Sequence, residues 1–147
     1  MRIVRFNFIF ILLVCLFNPQ IIKAQNKIDT IQSTFKKALS LKETIPDSAI
    51  LYLQSGLVLL ENTSSDNLEH LQLLKIDYLT QLGRIFHQQS KYDFAGTYFQ
   101  QALDAAQETE NDSVKGECSF SIAELSLENG SYVTAIEFYT KALELWG

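Results

Sequence analysis

Glycine and proline are scarce in this chain. Six glycines and two prolines, Pro19 and Pro46, occur in 147 residues. Helix breakers are therefore few, so long uninterrupted helices are expected, and no stretch reads as a strand. Histidine is equally rare, with His70 and His87 seventeen residues apart on one expected helix. They do not form a short metal-ligand pair, and each reads as a surface polar residue. The phosphate loop and the dinucleotide glycine cluster are missing, as are Gly-x-Ser-x-Gly and His-Glu-x-x-His. Glu124 and Glu128, four apart, have no metal or cleft signal beside them and read as a solvated acidic face. No catalytic residue, metal or cofactor is expected, and an enzyme is not.

Long hydrophobic runs are also lacking. The longest, Phe8 to Phe17, is ten residues, short of the ~20 that a transmembrane helix needs. Arg2 and Arg5 precede it, Asn18-Pro19 breaks it, and Ile22-Lys23-Ala24-Gln25 follows. That order of basic, apolar and small residues is the order of a secretory signal peptide, residues 1–24, with cleavage after Ala24. An uncleaved anchor is the alternative. A lipid attached at Cys15 fits less well, because Val14 stands where a small residue is wanted. The ending Lys-Ala-Gln resembles exported proteins of the Bacteroidetes, which implies a periplasmic location.

Removing residues 1–24 takes away three basic residues and no acid. Nine Lys+Arg then face seventeen Asp+Glu, a net charge of −8. A chain so acidic has no general attraction to nucleic acid or to anionic lipid. Cys15 also departs, leaving Cys118 alone. An intramolecular disulfide is then impossible, and Cys118 reads as a small buried hydrophobe.

What the chain does contain is an internal repeat. Gly83, Ala95, Phe99 and Ala102 are separated by twelve, four and three residues, and Ala123, Ala135, Tyr139 and Ala142 repeat those separations forty residues later. Offsets of three and four share a helix face. Each copy thus reads as two antiparallel helices around a polar turn, at Gln88–Lys91 and at Glu128–Ser131. Gly130 marks a helix end.

These residues resemble the tetratricopeptide repeat. Leu82-Gly83, Tyr92, Ala95, Phe99 and Ala102 supply its pattern in one copy. Ile122-Ala123, Gly130, Tyr132, Ala135, Tyr139 and Ala142 supply it in the other, with Ala123 in place of the glycine. The resemblance implies an all-α solenoid of antiparallel helical hairpins. About six helices are expected, in a domain spanning residues 25–147. A divergent N-terminal hairpin (27–62) precedes a repeat at 67–109 and a second at 112–147. Expected helices fall near 27–42, 46–61, 67–87, 92–109, 112–128 and 131–145, with Asp66 as one cap.

The resemblance further implies a protein-interaction module, in which the first helices of successive pairs line a concave groove. The groove positions are then Asp77, Thr80, Arg84, His87 and Gln88 in one copy. Glu117, Phe120, Glu124, Leu127 and Glu128 are those of the other. Such an acidic groove, with Phe120 and Leu127 as apolar contacts, suits a peptide or protein partner carrying basic and apolar side chains. Chaperone-binding members of the family hold a terminal carboxylate with a Lys and Asn pair. Thr80 and Arg84 stand there instead, so that activity is not implied.

Two functions remain open. One is an exported scaffold. The other is the N-terminal periplasmic sensor region of a truncated membrane signalling protein, a histidine kinase or a helix-turn-helix regulator. The last helix is apolar over more than one face, so self-association through it, or a longer natural chain, is expected.

Overall fold

In a computed structural model, which describes residues 19–63 and 68–147, every regular element is a helix. Six occur in order: α1 (Pro19–Leu41), α2 (Pro46–Glu61), α3 (Leu68–Gln88), α4 (Tyr92–Gln107), α5 (Asp112–Glu128) and α6 (Tyr132–Trp146). The main packing joins each helix to its neighbours in sequence. Three hairpins, α1/α2, α3/α4 and α5/α6, therefore stack into a solenoid.

The helix starts follow from local chemistry. Pro46 opens α2, where its missing N–H costs nothing, and Asp47 sits in the positively polarised first turn. Asn111 caps α5, its side chain accepting from the Val114 N–H at 3.1 Å. The helix α1 already includes residues 19–26, ahead of the expected Lys27. The rest of the expected signal peptide, Cys15 and the Asp66 cap all lie outside the described residues. In α4 the helix stops at Gln107 rather than Thr109. The Thr109 hydroxyl instead donates to the Ala106 carbonyl at 2.7 Å and accepts from the Asn111 N–H, which satisfies a buried polar group in the turn.

The two repeat turns are built alike. Lys91 N–H donates to the Phe86 carbonyl at 2.9 Å, and Ser131 N–H to the Ser126 carbonyl at 2.8 Å. Inside these loops Ser90 N–H reaches the His87 carbonyl and Gly130 N–H the Leu127 carbonyl. This double bond pattern ends a helix with one left-handed residue, here Ser90 and Gly130.

Core packing uses glycine as a seat for an aromatic ring. A methyl at Gly83 would lie 2.5 Å from the Phe99 ring, and one at Gly56 would lie 2.1 Å from the ring of Tyr78. The Tyr78 side chain is completely buried. Its hydroxyl donates to the Ile31 carbonyl at 2.5 Å and its ring lies 4.9 Å from that of Phe35. One residue of α3 thereby ties both helices of the first hairpin to the repeats. In the second copy Ala123 fills the place of Gly83. Tyr139 is only half-buried, and the ring seat moves to Gly116, under Trp146.

Candidate protein-binding groove

The groove rests on α3 and α5, the first helices of the two repeat hairpins. Three pairings fix their relation. The carboxyl of Asp77 is pushed up by burial and then by the negative charge of Glu117, with Arg84 pulling it down. Thr80 stands beside Cys118, where its hydroxyl favours the ionised thiol. His87 Nε2 stands 2.7 Å from Glu128 Oε2. Residues 77, 80 and 87 thus meet 117, 118 and 128 in the same order. The two helices run side by side and parallel, about one repeat apart. Ten residues of helix make this strip about 15 Å long.

Most of the expected groove residues are accessible. Asp77, Arg84 and Gln88 on α3 are exposed, as are Glu117, Glu124, Leu127 and Glu128 on α5, while Thr80 and His87 are half-buried. Four carboxylates therefore face the strip, against the guanidinium of Arg84. Leu127, 47% exposed, is its apolar contact.

Phe120 departs from expectation. Its ring packs edge-on against Tyr139 at 5.5 Å and lies 5.8 Å from Trp146. The aromatic residues of α6 turn it toward the end of the stack, so it does not serve as a free groove contact. His87 departs in the other direction. Besides Glu128 it has the Tyr92 ring at 5.8 Å, so it bridges the two copies instead of standing as a simple surface residue. Sequence reasoning had no signal for this pair, because His87 and Glu128 are not equivalent positions of the repeat.

Cys118 lies beneath the strip. It is buried, and burial pushes its thiol up to about 11. That environment disfavours the thiolate a nucleophile needs. Among the described residues no group of three or more His, Cys, Asp or Glu is placed to hold a metal. No described helix is long and apolar enough to cross a membrane. A cleft between the start of α3 and the end of α4, lined by Leu68, Gln72 and Thr109, contains none of the expected groove residues.

Hairpins stacked with small residues facing rings, and a strip formed by every second helix, define the architecture of residues 68–147. Residues 74–146 match the family model of the tetratricopeptide repeat. The match covers nearly all of α3 to α6 and leaves the first hairpin outside, where Lys36-Lys37 stands in place of a Leu-Gly pair. A comparison with curated proteins returns no match. Tetratricopeptide repeats are typically non-catalytic and mediate protein–protein interaction, so this region is read as an interaction module.

Proposed function

We propose that this protein is an exported scaffold whose α3/α5 strip holds an extended peptide or a helix rich in basic and apolar side chains. The observation that carries the reading is the acidic strip itself. Asp77 and Glu117 come from neighbouring repeats, and the charge of Glu117 adds to what burial costs the ionised Asp77, a cost that an incoming cation would relieve. Arg84 sets the polarity at one point, and Leu127 offers an apolar contact. Groove recognition of this kind takes its affinity from anchors and its specificity from charge placement.

The test is a titration of isotope-labelled protein with a short peptide of alternating Lys and Leu. Shifts should concentrate on Asp77, Thr80, Arg84, Glu117 and Leu127, and Asp77→Lys with Glu117→Lys should abolish them. Shifts confined to another surface would sink the reading. Export is checked separately by N-terminal sequencing of the natural product. A chain beginning at Gln25 supports it, and one beginning at Met1 does not.

A second reading is the periplasmic sensor region of a membrane signalling protein. The exposed apolar face of α6 favours it, because a further segment could pack there.

A further inference from the structure

The second helices of the first two hairpins, α2 and α4, meet along a seam. On α2, Asp47, Leu51, Gln54 and Val58 share a face by their spacing of four, three and four. On α4, Phe94, Tyr98 and Gln101 share one in the same way. Gln54 donates to the Tyr98 hydroxyl at 3.4 Å, and Gln89, just before α4, to Asp47 at 3.4 Å. The two faces are therefore turned to each other. Leu51 is nonetheless 67% exposed, Val58 57% and Phe94 59%. The corresponding rows of α4 and α6 differ. Thr97 and Asp104 stand where α2 has Leu51 and Val58, and Lys141 stands where α4 has Gln101. The α2/α4 seam is thus apolar where its counterpart is polar and charged. Both its helices are preceded and followed by others, so it is not a terminal face.

Charges stand only at its ends. Asp47 and Lys91, the latter 5.7 Å from the Phe86 ring, mark one end. Glu61 and Glu108 mark the other, where Lys27 bonds to the Asn62 carbonyl. Asp93 and Asp104 belong to the row of α4 turned toward α6. Between the ends, a charged partner would lose water and gain no counter-ion. The aromatic side is braced from beneath. The Phe86 ring stacks on Phe94 at 5.3 Å and on Tyr98 at 5.5 Å, the latter with planes 2° apart.

Unspent hydrogen-bond donors narrow the occupant. The Tyr98 hydroxyl accepts from Gln54 but finds no acceptor for its own proton, and the exposed Gln101 amide is unbonded. A docked helix, such as α2 of a second copy, brings no free carbonyl to them, because its own are bonded internally. An ordinary extended chain brings N–H groups as well, and two helices offer no strand edge to pair them. A proline-rich chain in the polyproline II form presents carbonyls outward, has few N–H groups, and suits aromatic-lined surfaces. The two prolines of this chain, Pro19 and Pro46, both lie in helices, so the segment belongs to another protein.

We propose that the seam between α2 and α4 docks a short proline-rich segment of another protein in the polyproline II form. From Asp47 to Val58 the seam is about 16 Å long at the rise of a helix, the length of about five such residues. Leu51, Val58 and Phe94 contact the proline rings, and Tyr98 and Gln101 donate to the carbonyls. The surface shares no residue with the α3/α5 strip and does not depend on it.

The full-length chain is titrated into a fluorescein-labelled peptide of about nine residues, a repeat of Pro-Pro-Leu. The same peptide with Ala for Pro is the comparison. A saturable rise in anisotropy is expected with the proline peptide. Binding should be at least about tenfold weaker with the alanine peptide, and similarly weaker after Leu51→Asp. Tyr98→Phe keeps the ring and removes the donor, and should weaken binding about threefold to tenfold. Glu144→Ala, in the row of α6 that matches Val58, should leave it unchanged. Circular dichroism confirms that each variant folds, and Val58→Asp replaces Leu51→Asp if that variant loses helix. Equal affinity for the two peptides overturns the proposal, as does binding indifferent to the Asp variant or the absence of a saturable rise. A dimer in sedimentation that the Asp variant dissociates also overturns it, since a second copy then covers the seam.

Discussion

Ser90 and Gly130 occupy the same point of the repeat, forty residues apart, and both stand in the left-handed region, at φ 58° and 76°. The backbone needs that conformation to close each hairpin. Only Gly130 meets the need without steric cost.

Substitution at these two positions should have opposite effects. Ser90→Gly relieves the strain of a β-carbon at positive φ and is expected to raise stability by about 0.5–1 kcal/mol, after the entropy of the added glycine is counted. Gly130→Ala should lower it by about 1 kcal/mol through the backbone alone, since nothing lies within 4 Å of the added methyl. Urea midpoints at constant slope read both changes. A loss of stability in Ser90→Gly would refute the account.

Glycine seats should separate from glycines that only weaken a helix. Gly56→Ala and Gly83→Ala put a methyl into the rings of Tyr78 and Phe99 and should each cost about 1–3 kcal/mol. Gly96→Ala meets Leu125 at 3.4 Å, an ordinary contact. It should be neutral or stabilising by up to about 1 kcal/mol through helix propensity. Thermal melts of the three variants give the order. If Gly83→Ala melted with the parent, the ring over Gly83 would not be a packing constraint.

Alkaline pH should loosen the first hairpin through Tyr78. Burial raises its phenol from 10.0 to about 12, so the fold favours the neutral form. The contribution to stability is complete below pH 10 and is lost as pH rises through 12. Tyr78→Phe removes the bond to the Ile31 carbonyl and should cost about 1 kcal/mol at neutral pH. It should also flatten the fall in stability between pH 10 and 12. Denaturant titrations across that range decide the matter, and an unchanged alkaline slope in the variant would count against it.

Much of this architecture is legible in the sequence because helix faces are local. Gly83, Ala95, Phe99 and Ala102 fall on inner faces by spacing alone, and all four are buried. The strip is legible as a row on α3 and a row on α5 for the same reason. Phe120 was not, because its place on α5 borders both the strip and α6. Only the rings of Tyr139 and Trp146 decide which side it takes. The contact of His87 with Glu128 arises from the offset between stacked hairpins, which no spacing within one helix encodes.

The neighbour-to-neighbour packing of the six helices has a mechanical consequence. A compact sheet-bound core gives way all at once, whereas a stack of hairpins can open from an end inward. A pull that frees α6 would leave Tyr78 still seated on Gly56 and the first hairpin still fastened. Tension would thus be met in steps. The contact between His87 and Glu128, which ties the last hairpin to the middle one, is where the second half of the spring would let go.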